Sequence, residues 1–461
     1  MTSERKQKKG IPHEECQQAA WSLGMASEWK TLSLAEVYDF SSGLSKPHSE
    51  FGSGHPFLSF KDVFYNSAVP KQLTELVQST EQERARCSVM RGDVFLTRTS
   101  ETMNELGMSS VALADIPDAT FNGFTKRLRP KRKLVVPEFA RYFFRSSEFC
   151  AAVNSMSTMS TRASLNNEML ERLTITFPEC SVQKAIGHIL GTLDDKIELN
   201  RKVNETLEAM ARALFKSWFV DFDPVCAKAE GRDPGLPAHL AALFPDSFDD
   251  SELGEIPKGW QLMSLASVCE NIFSGGTPST AAHDYWGGNI PWLSSGETRA
   301  KFIISTEKFI TLQGVEKSST RIARAGATVI ASAGQGNTRG QTSMLMFDAY
   351  INQSVVALLP NRLQSSDVHL FFDLERRYEE FRRISDGHSS RGSLTTKLLG
   401  GLTVVLPPIE IVREFDLLAE PIVQRITCAL RESQALTALR DSLLPKLISG
   451  ELRVPESAGL T

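Results

Sequence analysis

The chain has 461 residues, room for roughly three units at about 150 residues each. Its 41% hydrophobic and 23% charged residues exclude a disordered or collagen-like polypeptide. A formal net charge of −4, from 51 basic against 55 acidic residues, excludes a uniformly basic nucleic-acid coat, so any such contact must come from local patches or a partner.

In chain order, residues 1–28 form an N-terminal extension that starts basic, with Arg5, Lys6, Lys8 and Lys9, but has no apolar core behind those charges. Residues 29–180 carry short apolar runs such as Val94-Phe95-Leu96 and Leu173-Thr174-Ile175-Thr176-Phe177, broken by glycine and serine clusters. These are strand signals in a mixed domain with a few helices. Inside this domain, Phe121 to Arg145 holds Lys126, Arg127, Arg129, Lys131, Arg132, Lys133, Arg141 and Arg145 against a single Glu138. Such a run suits phosphate neutralisation and equally suits a solvated basic face.

The period then changes. Leu190, Leu193, Ile197, Asn200, Asn204, Leu207, Ala211, Leu214 and Trp218 step by three and four, a heptad seam carried from Ile186 through about 33 residues, about 50 Å of helix, within a helix expected over residues 181–220. Residues 221–256 read as a proline- and glycine-rich linker with at most one short helix, around Pro237 to Phe244. A second mixed domain follows over 257–408, then a second seam over 409–450 through Phe415, Ala419, Ile422, Ile426, Ala429, Ser433, Leu436, Arg440, Leu443 and Leu447, and a tail at 451–461. The simplest arrangement pairs the helices antiparallel, with Asn200, Asn204, Ser433 and Arg440 setting register; the alternative packs each helix on its own domain. Pro421 marks a kink or a later helix start.

The two halves repeat. Thr161-Arg162-Ala163-Ser164-Leu165 matches Ser390-Arg391-Gly392-Ser393-Leu394 at a shift of 229, and the register holds through Pro178/Pro407, Ile197/Ile426 and Leu214-Phe215/Leu443-Leu444. Upstream the shift drifts, to 231 for Trp29/Trp260 and 235 for Pro56/Pro291, as it would where loops differ in length between two copies of one fold.

Catalytic signatures are missing. There is no phosphate-binding Gly-x-x-x-x-Gly-Lys loop, no Gly-x-Ser-x-Gly elbow and no His-Glu-x-x-His pair. The run Gly334 to Gly340 has one residue too many for a dinucleotide fingerprint. The seven cysteines are scattered, without a Cys-x-x-Cys pair, and no apolar run approaches about 18 residues, which fits a cytoplasmic protein without a membrane segment. Loops rich in small hydroxyls, amides and arginine supply groups that read base edges. The candidates are Arg98, Thr99, Arg162 and Ser164 with Lys126, Arg127 and Arg129 in the first half, and Gln335, Asn337, Arg339, Arg391 and Ser393 in the second.

Leu193-Asp194-Asp195-Lys196-Ile197-Glu198-Leu199-Asn200-Arg201-Lys202, followed by Ala213-Leu214-Phe215-Lys216-Ser217-Trp218-Phe219-Val220-Asp221-Phe222-Asp223-Pro224, closely resembles the central helix of the specificity subunit of type I restriction-modification systems. Leu443-Leu444-Pro445-Lys446-Leu447-Ile448-Ser449-Gly450-Glu451-Leu452 is similar to that family's C-terminal helix end. Ile256-Pro257-Lys258-Gly259-Trp260 and Ser274-Gly275-Gly276-Thr277-Pro278 are similar to the start of its second recognition domain, which adds Thr277 to the candidates. The first domain departs from the pattern, with Phe40-Ser41-Ser42-Gly43-Leu44-Ser45-Lys46-Pro47 in place of a Gly-Gly-Thr-Pro-like loop.

The resemblance implies an α+β chain in which two pseudo-repeated mixed α/β target recognition domains are separated by two long antiparallel coiled-coil helices. Leu190, Leu193, Ile197, Leu207 and Leu214 would face Ile422, Ile426, Leu436 and Leu443. It implies a non-catalytic subunit that reads a bipartite, asymmetric duplex DNA target and docks two methyltransferase subunits, with two translocase-nuclease subunits added for restriction. This chain would hold no cofactor; S-adenosylmethionine, ATP and magnesium would belong to those partners. Two other readings stay open, a protein-binding scaffold of repeated domains and the recognition subunit of another methyltransferase-nuclease system.

Overall fold

The computed structural model describes residues 29–100, 105–156, 163–334, 336–388 and 393–454. It divides into two compact units, Met1–Asp195 with Leu436–Thr461, and Lys196–Ala435. Each unit thus combines one mixed domain with a part of each long helix.

In the first unit, Tyr38–Ser42, Thr125–Pro130, Val94–Thr97 and Ser109–Val111 form an antiparallel sheet in that spatial order. Val94, Phe95 and Leu96 are buried on both faces, so the central strand reads as a continuous apolar run. A smaller sheet places Phe51–Leu58 between Leu76–Val77 and Thr120–Phe121, the last pair parallel, and shares a core of Leu58, Phe95 and Phe121 with the first. Lys30–Ser33 pairs with Thr174–Phe177 beside the start of the central helix.

The second unit repeats this plan with Cys269–Ser274, Val355–Pro360, Thr328–Ala331 and Thr342–Leu345 in the same order, and with Trp286–Leu293 parallel to Ala349–Ile351. Gln261–Ser264 pairs with Thr403–Leu406 as its counterparts do. Two short strands of the second unit, Phe302–Ile303 parallel to Thr342–Leu345 and Arg321–Ala323 antiparallel to Ala349–Ile351, are reduced in the first unit to single bridges, Ala68 with Val111 and Val89 with Ile116. The repeat read from sequence is therefore a repeat of topology.

The long helices run Cys180–Phe219 and Ile409–Ile448. The second passes through Pro421 unbroken; Pro421 lies on an exposed face with Leu417, where water can take the carbonyl that the ring leaves unbonded. In the first unit Ile186 and Leu190 share a core with Leu443, Leu444, Leu447 and Ile448. In the second, Leu207, Ala211, Leu214, Phe215 and Trp218 pack with Phe415, Ala419, Ile422 and Ile426. Rising numbers on one helix meet falling numbers on the other, so the pairing is antiparallel in each unit. Leu193, Ile197 and Leu436 are half-buried.

Each helix also packs on a domain, so the two packing alternatives coexist. Gly187 explains how closely: a Cβ there would lie 2.8 Å from Glu138 Cβ, so only glycine lets the helix Pro137–Phe143 cross at that point. At the far end of the second helix, Gly450 at φ +78° has the Trp29 ring 2.8 Å from its would-be Cβ. The helix stops there because its closing residue must be left-handed and must make room for that ring.

The segment read as a linker is ordered and packed. It holds the helices Asp223–Ala229 and Ala238–Ala241 and a hairpin of Phe248–Ser251 with Gly254–Pro257. Val225, Leu240 and Phe244 are buried beside Trp218 and Trp260, which composition alone does not reveal.

Asp194 accepts hydrogen bonds from Tyr142 Oη, Arg141 Nη2 and Arg440 Nη1, each at 2.7 Å. Asp194→Ala would leave the half-buried Arg141 with Ser67 and Arg440 with Asp441 but remove the carboxylate that they and Tyr142 share, and is expected to cost about 2 kcal/mol in urea unfolding. Asp416 tests the second unit. Burial pushes its carboxyl up to about 6, against the hydrogen bond that Ser366 donates at 2.7 Å. Ionisation therefore weakens the fold as pH rises through about 6 and has no effect below the ordinary carboxylate pKa. Asp416→Asn is expected to raise stability relative to the parent by about 1 kcal/mol at pH 8, after allowance for solvent screening, and to leave no such gain at pH 3 in thermal melts.

Candidate nucleic-acid interface

In the first unit, the turns at one end of the main sheet converge. Arg98 N donates to Phe124 O at 2.8 Å, Leu165 N to Arg98 O at 2.8 Å, and Gly123 N to Leu44 O at 2.7 Å. Thr99 pairs with Ser164 in a short antiparallel ladder. Arg98, Thr99 and Ser164, far apart in sequence, thus sit together. Lys126 joins them as the neighbour of Thr125, with Nζ donating to Asn167 Oδ1 at 2.8 Å. Burial and then the nearby Arg98 charge hold the Lys126 pKa below its usual range. The Arg98 side chain is exposed. Arg162 lies outside the described residues.

The rest of the basic run is turned to structural use. Arg127 is 7% exposed, with Nη1 donating to Ser88 O at 2.8 Å and its guanidinium 5.3 Å from the Phe121 ring centroid. Arg129 donates from Nε to Asp93 Oδ1 at 2.8 Å and also reaches Ser88. Arg141 binds Asp194, and Arg145 donates to the carbonyls of Val63, Phe64, Asn66 and Ser109. These arginines hold loops and helices to the sheet. Arg132 and Lys133 remain exposed, at the opposite end of the strand from Lys126.

The second unit builds the same frame with other side chains. Ser332 N donates to Ser354 O and Leu394 N to Ser332 O, both at 2.9 Å, where the first unit has Arg98, Phe124 and Leu165. Gly276 N donates to Ile351 O at 3.1 Å, and the Thr277 hydroxyl bonds Gln353, which places Thr277 at this end of the sheet. A Cβ on Gly275 would sit 1.8 Å from Ile351 O, and one on Gly43 would sit 2.2 Å from Phe121 O. The close approach survives in the first domain although its loop sequence differs.

Asn337 is exposed on a loop whose carbonyls are held by the helix Tyr378–His388: Tyr378 Oη donates to Asn337 O at 3.0 Å and Arg382 Nη1 to Gly336 O at 2.9 Å. Arg339 is 8% exposed and pairs with Asp386, so it fastens the loop to that helix. Ser393 is half-buried beside Leu394. Gln335 and Arg391 lie outside the described residues.

Sequence reading passed over Phe124, which is 60% exposed beside Arg98, and Asn167. The Asn122-Gly123 turn was the available signal, because an Asn-Gly pair between apolar runs marks a strand connection and hence a sheet end. Among the described residues no group of three or more His, Cys, Asp or Glu side chains could hold a metal ion, and no helix is long and apolar enough to cross a membrane. His369 is a core residue, its pKa pushed down to about 4 by burial.

The two kinds of arginine separate experimentally. Arg129→Ala leaves Asp93, 1% exposed, as an unpaired buried carboxylate and is expected to cost about 3 kcal/mol. Arg98→Ala is expected to shift stability by no more than about 0.5 kcal/mol, with urea unfolding of both variants as the check.

Residues 26–209 and 257–423 match the family model described as the type I restriction modification DNA specificity domain. The HindI specificity subunit of Haemophilus influenzae is 26% identical over 92% of this chain and all of its own length. The MjaIX specificity subunit of Methanocaldococcus jannaschii is 24% identical over 93% of each chain. A solved specificity-subunit structure from M. genitalium shares the fold at a TM-score of 0.59, with 15% identity, covering 92% of this chain and 97% of that one. Two matched domains, two paired helices and two equivalent loop clusters place the chain in one family: it belongs to the DNA specificity subunits of type I restriction-modification systems.

Proposed function

We propose that the chain reads a bipartite, asymmetric duplex DNA target, with residues 29–180 addressing one half-site and residues 257–408 the other. The observation that supports this most is the pair of equivalent loop clusters, alike in backbone bonding and unlike in side chains, with Arg98 and Phe124 in one where Ser332 and Ser354 stand in the other. One scaffold presenting two different sets of donors suits recognition of two different short sequences. Arg98, Thr99, Lys126 and Ser164 would face the first half-site, and Thr277, Asn337 and Ser393 the second.

The paired helices dock two methyltransferase subunits, and two translocase-nuclease subunits join for restriction, in the cytoplasm. Leu199 and Met210, 53% and 54% exposed on the central helix, offer apolar area for such docking. S-adenosylmethionine, ATP and magnesium act in those partners, while this chain selects the sequence.

Co-expression with the methyltransferase subunit in a methylation-free host, followed by genome-wide mapping of modified adenine, tests this reading. One bipartite motif that vanishes without the chain is expected. Full expression of both proteins without new methylation would contradict it and favour a protein-binding scaffold. Exchange of residues 29–178 for the same domain of another member is expected to change one half-site only.

A further inference from the structure

Arg98 and Phe124 are two large side chains at this end of the sheet that are exposed and held by their own backbones. The register Thr97↔Thr125 brings them next to each other, and the 2.8 Å bond from Arg98 N to Phe124 O fixes that placement. Leu165 N holds the Arg98 carbonyl from the other side, also at 2.8 Å. Neither main chain is free to swing, so the two side chains project from fixed points about 5 Å apart, the spacing of opposed residues in an antiparallel pair. Phe124 is 60% exposed, a large apolar area at the edge of a soluble fold, and no described ring packs against it. The Arg98 guanidinium is exposed, while its neighbour Lys126 is engaged by Asn167.

A guanidinium alone would suit a phosphate as well as a base. An exposed phenyl ring directly beside it suits a base-pair edge better, because a thymine methyl offers that ring a compact apolar partner while the deoxyribose carbons are flanked by charged phosphates. In the major groove, guanine presents two acceptors, N7 and O6, that match the arginine fork, and thymine presents a C5 methyl that packs on an apolar side chain. Base pairs rise about 3.4 Å each, so the points from which the two side chains leave the backbone lie under two steps apart.

We propose that Arg98 and Phe124 form one reading unit for the first half-site, Arg98 bonding N7 and O6 of a guanine and Phe124 covering the methyl of a thymine at most two base-pair steps away. The inference rests on the DNA-reading function proposed above. The second domain carries Ser332 and Ser354 at the equivalent positions and makes no such contact.

Methylation mapping with Arg98→Ser, Arg98→Lys and Phe124→Ser chains, each co-expressed with the methyltransferase subunit, decides the matter. The parent motif is expected to contain a guanine and a nearby thymine in the half-site that the 29–178 exchange alters. Arg98→Ser is expected to lose roughly tenfold to hundredfold discrimination at the guanine alone, and Phe124→Ser at the thymine alone, with the other half-site and the melting temperatures unchanged. Arg98→Lys keeps the charge and donors for guanine without the planar fork, and is expected to keep methylation at the parent guanine with weaker discrimination than arginine; where Arg98→Ser abolishes methylation, loss of the thymine preference in Phe124→Ser is the deciding result. A parent half-site without guanine, or Arg98→Ser and Phe124→Ser chains that leave the motif intact, would overturn the proposal. A parent chain that directs no methylation would remove the proposed function, and this inference with it.

Discussion

The antiparallel pairing of two forty-residue helices is the constraint on which the rest of the structure depends. Leucine and isoleucine along the seam stabilise the pair but tolerate a slip of one heptad, which would match apolar residues again. Polar groups do not tolerate it. In the first unit the Asp194 carboxylate gathers Tyr142, Arg141 and Arg440, so the domain and both helices meet on one side chain. Burial raises the Tyr142 phenol pKa and keeps it a donor. In the second, Asn200, 1% exposed, donates to Glu432 at 2.9 Å and to Ser433 at 3.3 Å. A slip of seven residues would set Asp194 against Leu447 or Ser433 and leave it with Arg141 and Tyr142 alone, at a cost of about 1–3 kcal/mol for the lost charge-assisted bond from Arg440.

A fixed register lets the two domains vary without disturbing the frame. Strand order, the crossing at Gly187 and the close approaches at Gly43 and Gly275 all concern backbone. Side chains at the sheet ends are free of these duties, as the change from Arg98 and Phe124 to Ser332 and Ser354 illustrates. A specificity subunit needs this division, since it must change what it reads while keeping what it assembles with.

Period and repeat made the architecture legible in the sequence, because both are properties of spacing. The seam from Leu190 to Trp218 and the 229-residue shift required no knowledge of partners. Charge is different. The basic run from Lys126 to Arg145 looked like a surface, yet Arg127 and Arg129 sit on a strand whose side chains are met by Ser88 and Asp93, more than thirty residues away. Arg339 was hidden in the same way by Asp386. Composition misled over residues 221–256 as well, where prolines suggested a loose connection while Phe244 and Trp260 close an aromatic core around Trp218 and Phe219. Phe124 went unread because exposure of an aromatic is decided by which turn ends the sheet, not by its neighbours in sequence.

We propose that the paired helices also set the gap between the two half-sites, and the most direct measurement of that proposal is the spacer of the methylation motif after insertion of one heptad into both helices. Seven residues add about 10.5 Å of helix, close to three base pairs. Both half-sites should stay unchanged while the unread spacer grows by about three base pairs. An inserted chain that still assembles and methylates with the original spacer would contradict the account.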